Sequence, residues 1–314
     1  MKKYLKYKLI KLKRVNNMIK NDKDIEKIHD YYREAGKIHK KVMNEAKEKI
    51  KIGMSILDIV TKIEENIIKY GGECAFPVNI SLNEQAAHYT PILNDTNTIN
   101  ENDIIKLDIG VHINGYIADG AQTLSFNNKN EDLIKSSKDA LMSAIDIVKE
   151  GTKIEDIGDI IEKTINNYGY KPIKNLMGHG LNQYVAHADP SIPNFNNGNQ
   201  NKLFDGQVIA IEPFATNGNG FVTDSSSKNI YSQVKLKPTR ISFIRSILHQ
   251  IEGYYGLPFA TRWIKSEKCS FAINQLEKDG IIIGYPGLTE IKNSFVSQTE
   301  HTIIVHDWGA EIIT

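Results

Sequence analysis

Apolar residues recur at helical spacing in two pairs of segments, each pair followed by shorter alternating or continuous apolar runs. Residues 24–50 form one such segment. Gly53 breaks it, Ser55 or Asp58 can cap the next helix, and Gly71-Gly72 ends that one. Residues 131–149 and 153–168 repeat the plan, with Gly151 as the break and Gly169 as the end. The resemblance extends to identity. Gly53-Met-Ser-Ile-Leu-Asp-Ile59, continued to Tyr70-Gly71, aligns with Gly151-Thr-Lys-Ile-Glu-Asp-Ile157, continued to Tyr168-Gly169, and nine of 19 positions match. Helical periodicity accounts for the matched isoleucines but not for the glycines, the Asp58/Asp156 pair or the shared Tyr-Gly ends. We read a duplication: an α/β chain of the α+β kind, with two pseudo-symmetric halves, helices outside a central curved antiparallel sheet, and a cleft between them as the natural site.

The strands carry the polar exceptions. Residues 103–119 spell a hairpin in which Asn114-Gly115 is the favoured two-residue type I′ turn. That turn pairs Ile113 with Tyr116 and Gly110 with Asp119, and sets Asp108 opposite Ala121. Asp119 is then one diagonal step from Asp108 on the same face, near enough for the two carboxylates to converge. Further strands are expected near 208–214 and 296–306. Between them runs an excursion from about 217 to 284, predicted to hold helices from Pro238 to Tyr254 and Ser270 to Lys278 and a short strand near Ile281–Ile283. It reads as a helical insertion with a winged-helix outline on a main unit of residues 21–314.

Composition changes this picture little. The chain has 314 residues, 40% hydrophobic and 25% charged, which is ordinary for a globular protein, and a formal net charge of +1 gives no global pull toward nucleic acid or membrane. The charge is uneven, however. Residues 1–20 hold eight Lys/Arg and no Asp or Glu. This basic head is a solvated arm or a segment read from an upstream start ahead of Met18, with ribosome or nucleic-acid contact as its functional alternative. Lys interrupts its apolar residues too often for a signal peptide or membrane span. Two cysteines, Cys74 and Cys269, and no secretion signal point to free thiols in a reducing cytoplasm.

Two Asp on one face of apolar strands repel unless a cation or a shared proton compensates. Other acids and imidazoles stand in similar places. Met177-Gly-His-Gly-Leu-Asn-Gln-Tyr-Val-Ala-His187 sets two histidines around a glycine pair. Val208–Phe214 places Glu212, and Val296–Val305 places Glu300, inside strands with apolar neighbours. Each alone is compatible with a surface acid or a satisfied core histidine. Two Asp, two Glu and one His together make an oxygen-rich set suited to two divalent ions such as Mn, Fe, Co or Zn.

In the order Asp108, Asp119, His179, Glu212, Glu300 the set resembles the five metal ligands of the methionine aminopeptidases, over roughly residues 21–314. The likeness is most specific at Phe76-Pro-Val-Asn-Ile-Ser-Leu-Asn-Glu-Gln-Ala-Ala-His88, at the Asp-Ile-Gly hairpin and at Ile211-Glu-Pro-Phe-Ala-Thr216. The excursion, and Tyr285-Pro286 just before the last strand, resemble the type 2, archaeal-like branch. The resemblance implies a pita-bread fold. It implies that Asp108 chelates one metal, Asp119 and Glu300 bridge both, and His179 and Glu212 complete the other. Glu212 would shuttle the proton, and His88 and His187 would contact the scissile amide. Phe76, His88, His187 and Tyr285 would line a methionine pocket, with Ala186 small where a larger aliphatic residue would close it further. The activity implied is removal of the initiator Met from nascent chains whose second residue is small, by a cytoplasmic monomer. Two rival readings share the ligands or the fold: an X-Pro aminopeptidase or dipeptidase, and a non-catalytic relative that binds ribosomes or RNA.

Overall fold

The glycines paired by the repeat do the same conformational work. Gly53 and Gly151 both sit at φ +84°, and Gly71 and Gly169 at +91° and +80°, a region that side chains with a Cβ rarely adopt. The computed structural model describes residues 22–314, so the basic head at 1–20 lies outside the described residues. Among those, six α-helices occur: α1 (Asp22–Lys49), α2 (Ile56–Lys69), α3 (Glu131–Ile147), α4 (Ile154–Asn167), α5 (Ser242–Glu252) and α6 (Cys269–Lys278). Ser55 caps α2 by accepting from the Asp58 amide, so the two capping candidates are the two ends of one hydrogen bond.

The duplication extends beyond the helices. Gly53 N–H donates to Ile99 and the Ile99 amide to Met54; Gly151 and Leu203 repeat this with Leu203 and Thr152. Strand Asn79–Leu82 pairs antiparallel with Ile104–Ile113, as Met177–Asn182 pairs with Val208–Ile211. The next strand outward is Tyr116–Ser125 in the first half and His301–Val305 in the second. One apolar cluster lies between α1, α2 and the first sheet, and includes Ile56, Val60, Ile63 and Ile67 with Ile80, Leu107 and Ile109. A second lies between α3, α4 and the other sheet. The halves meet where the Glu300 amide donates to Ala121 O at 2.9 Å. There Thr302 Oγ1 accepts from the Asp119 amide and donates to its carbonyl, both at 2.8 Å.

The hairpin register is the one its Asn-Gly turn dictates: Ile113 faces Tyr116, Gly110 faces Asp119 and Asp108 faces Ala121. Gly110 is needed for a second reason. A Cβ there would lie 2.2 Å from the Phe76 ring. Gly110→Ala is therefore expected to displace Phe76 and cost about 1–3 kcal/mol, read as a lower urea midpoint at unchanged m-value.

The excursion is not all helix. The expected helices are present as α5 and α6, but an 11-residue strand, Thr223–Gln233, pairs antiparallel with Ile282–Thr289 and with Phe259–Ala260. The strand expected near 281–283 thus runs on to Thr289 and contains Tyr285 and Pro286 instead of ending before them. Its far end pairs with Gln85–Ala87, the strand that precedes His88. The strands near 208–214 and 296–306 are each broken in the middle, at Glu212-Pro213 and Thr299-Glu300. Pro213 has no N–H to give the ladder, and the Thr299 amide reaches Pro213 O at 3.3 Å.

Candidate metal centre

One cavity of about 270 Å³ gathers the acids, imidazoles and aromatic residues given a role by the family resemblance: Phe76, His88, Asp108, Asp119, His179, His187, Glu212, Tyr285 and Glu300. Each arrives by a different local device. The hairpin puts Asp108 and Asp119 on one face. His179 lies on a strand squeezed between two neighbours, and its flanking glycines are the condition for that. A Cβ on Gly178 would meet Ala210 O at 2.3 Å, and one on Gly180 would meet Asp189 O at 2.1 Å. Glu212 and Glu300 sit in the facing strand breaks, not inside strands as the apolar flanks implied. Leaving the ladder frees both side chains to turn into the cavity that they line. His88 holds φ +62°. Its ring packs edge-on against Tyr285 at 5.9 Å between centroids, and His179 meets His187 edge-on at 4.7 Å.

His179 Nε2 lies 3.8 Å from Asp119 Oδ2 and 3.7 Å from Glu212 Oε1. Its Nδ1 is 3.2 Å from Gly180 O, so the tautomer that donates there leaves the Nε2 lone pair facing the carboxylates. One potential ligand atom from each of Asp119, His179 and Glu300 falls within 4.8 Å of the others. Burial raises the carboxyl of Asp108 to about 7, with the Gln298 side chain opposing through a hydrogen bond. Burial and mutual repulsion push Asp119, Glu212 and Glu300 well above the usual carboxylate range. Burial and neighbouring His187 push His179 down to about 3, and burial lowers His187. His187 is open to the cleft on one side, so protein on its other sides carries that effect.

Such a set needs a cation. Four carboxyl groups share one cavity, no Lys or Arg is among its lining residues, and Asp108 Oδ1 and Asp119 Oδ1 are buried without a hydrogen-bond partner. Oxygen-rich donors, one neutral imidazole and no thiol fit a divalent metal of the Mn, Fe, Co or Zn kind.

The cavity also has walls that were given no role above: Asn79, Met177 and Phe214, which lie inside the quoted motifs, and Ile230 and Pro258, which do not. Asn79 pairs with Asp108, and its Oδ1 is buried without a hydrogen-bond partner. Ile230 and Pro258 come from the excursion, and no local pattern marks them. Ala186 is buried in the first apolar cluster and is not among the cavity-lining residues.

Residues 30–307 match the model of metallopeptidase family M24. The chain belongs to that family. Among curated M24 relatives, the methionine aminopeptidase of Archaeoglobus fulgidus is 48% identical over 282 residues, covering 90% of this chain and 96% of that one. The methionine aminopeptidase of Methanocaldococcus jannaschii is 44% identical over 283 residues, with 90% and 96% covered. The solved methionine aminopeptidase of Rickettsia prowazekii superposes with a TM-score of 0.68 at 22% identity, covering 92% of this chain and 97% of that one, which establishes the shared pita-bread fold. An M24 metallopeptidase requires a divalent metal, and the carboxylate and imidazole cluster is where this chain can hold one.

Proposed function

We propose that this M24 enzyme is a type 2 methionine aminopeptidase that removes the initiator Met from nascent chains with a small second residue. The observation that carries the reading is the convergence of four carboxylates and His179 in one cavity walled by Phe76, His88, His187 and Tyr285, in a chain 48% identical to a methionine aminopeptidase over nine-tenths of its length. Asp108, Asp119, His179, Glu212 and Glu300 would hold two divalent ions. When bound, they lower the pKa of a water to make a nucleophile at neutral pH and polarise the scissile carbonyl.

The chain's own groups do the rest. Glu212, at the edge of the cluster, takes a proton at its carboxylate and returns it to the leaving amine. His88 and His187, held mostly neutral by burial, donate hydrogen bonds to the oxygen that gains charge as the amide is attacked. Phe76, Tyr285 and Phe214 give apolar and aromatic walls on which a thioether packs well.

Residues 21–314 would form the catalytic unit, with 217–284 as an insertion that supplies part of the pocket wall. We place the enzyme in the cytoplasm as a monomer. Free Cys74 and Cys269 support a reducing compartment, and no helix among the described residues is long and apolar enough to cross a membrane. For the basic head at 1–20, a solvated arm or an upstream start ahead of Met18 is the first reading and ribosome contact its functional alternative.

The deciding experiment compares Met-Ala-Ser with Ala-Pro-Ser on chelator-stripped protein resupplied with Mn, Co, Fe or Zn in turn. Metal-dependent release of Met from the first peptide alone is expected. Preferential release of Ala from the second would transfer the protein to the proline-directed branch. Folded protein inert with every metal would leave a binding role.

A further inference from the structure

Among the contacts by which the excursion reaches the main body is a buried arginine. Arg262 lies in the short 3₁₀ turn Thr261–Trp263, two residues beyond Ala260, which pairs with Ile230; Ile230 in turn pairs with Tyr285. Its side chain is 5% exposed. Nη1 donates to Thr90 Oγ1 at 2.7 Å and to Pro91 O at 3.2 Å, and Nη2 donates to Glu64 Oε1. Next to it, Trp263 Nε1 donates to the other Glu64 oxygen at 2.9 Å.

The acceptors are what make this contact matter. Glu64 Oε1 also accepts from the Val78 amide, and Thr90 Oγ1 donates to Val78 O. Val78 stands between Phe76 and Asn79, and Thr90 is two residues after His88; all three of these neighbours line the cavity. One guanidinium therefore ties the segment carrying Phe76 and Asn79 to the segment carrying His88. It does so from a chain that also supplies Pro258, Ile230 and Tyr285 to the same cavity. A planar fork can hold several acceptors in fixed directions, which a single ammonium cannot.

The second repeat uses the equivalent acid differently. The repeat partner of Glu64, Glu162, forms an ion pair at 3.1 Å with Lys174 of its own half. Glu64 instead faces inward and serves the excursion.

We propose that Arg262 is a positioning residue for the substrate pocket: by clamping Glu64, Thr90 and Pro91 it sets the relative placement of Phe76, Asn79 and His88. This rests on the aminopeptidase reading for its kinetic consequences but not for its structural ones. Arg262→Met removes the fork at similar length, Arg262→Lys keeps the charge, and Thr90→Val cuts the Thr90 arm together with the Thr90 Oγ1 bond to Val78 O while leaving the Glu64 pair. Arg33→Met serves as the control, because it breaks an ion pair with Glu311 that touches no cavity residue.

Two readouts are taken on the metal-loaded full chain. The first is KM and kcat for Met-Ala-Ser, with active sites counted by titration. Arg262→Met should raise KM about tenfold per active site, Thr90→Val about threefold, and Arg262→Lys should fall between wild type and Met. The second is amide exchange at Val78 and Ile80, compared with Ile209 and Ile303 of the other half. Exchange should accelerate at the first pair and not at the second.

Should Arg262→Met fail to fold, Arg262→Lys, which keeps the charge but loses the fork, carries the test. Unchanged KM with only a smaller active fraction, as expected of Arg33→Met, would overturn the proposal, as would equal acceleration at all four amides. If the wild type releases no Met at all, the functional reading fails while the exchange comparison still decides the clamp.

Discussion

Replacing Asp119 with Asn lowers kcat/KM for methionine release by at least about 10³-fold, or about 4 kcal/mol of transition-state stabilisation. The substitution keeps shape and volume, so packing does not explain the loss. It removes a negative charge and one acceptor oxygen from a carboxylate that comes within 4.8 Å of ligand atoms on both His179 and Glu300 and whose Oδ1 has no other partner. The backbone is pinned at this position by the paired bonds to Thr302, so a neighbouring residue cannot move in to substitute. Asp103→Asn is the informative contrast. Asp103 is also buried, but its oxygens accept from Asn83 Nδ2 at 2.8 Å and from the Asn100 amide at 2.7 Å, away from the cavity. That variant should lose stability and keep kcat/KM within about threefold, since no interaction with the transition state changes. Steady-state kinetics on metal-saturated protein, with metal content measured by plasma mass spectrometry, checks both. An Asp119→Asn enzyme retaining a tenth of wild-type activity and a full metal load would remove Asp119 from the ligand set.

The parts of the site legible in the sequence are those governed by short-range rules. Asn114-Gly115 fixes a hairpin register, and with a period of two the register decides which side chains share a face, so the turn alone places Asp108 and Asp119 together. The repeat is legible because its glycines answer to backbone geometry alone. Glu212 and Glu300 reach the cavity by a device that their flanks conceal. Apolar neighbours imply a continuous strand, whereas Pro213 interrupts the ladder, and the interruption is what lets each side chain turn.

The strand Thr223–Gln233 is silent in the sequence because seven of its eleven residues are not buried, so no apolar alternation is written into Thr-Asp-Ser-Ser-Ser-Lys-Asn. The partnership of Glu64 with Arg262 lies beyond local reading altogether. The two are 198 residues apart, and only the folded chain makes a buried acid and a buried guanidinium neighbours. Local rules thus locate the chemistry, while the walls that shape the pocket depend on contacts between distant segments.

Chelator-stripped protein should lose stability between pH 6.5 and 8.5, and divalent metal should abolish that loss. Burial and crowding carry Asp108 to about 7 and Asp119, Glu212 and Glu300 well above their ordinary values. For an acid raised in the folded state, the native protein holds the proton more tightly than the unfolded chain. Its contribution is complete below about pH 4 and disappears as pH rises through the folded pKa. Each carboxyl still protonated in the native state costs about 1.4 kcal/mol per pH unit over this range.

The buried histidines act on the other side. His39, His88 and His301 near 4 and His179 near 3 contribute stability above about 6.5 that is lost as pH falls toward those values, so they are silent in the chosen window. Lys106, fully buried and pushed well below its ordinary value, works against the carboxylates. It does so equally with and without metal, so the difference between the two pH slopes isolates the cluster. Bound cations keep the carboxylates ionised in the native state and add binding free energy to stability. Urea unfolding at pH 6.5, 7.5 and 8.5, with excess Mn and with chelator, measures both slopes. Parallel slopes would mean that the four carboxyl groups do not share a metal centre.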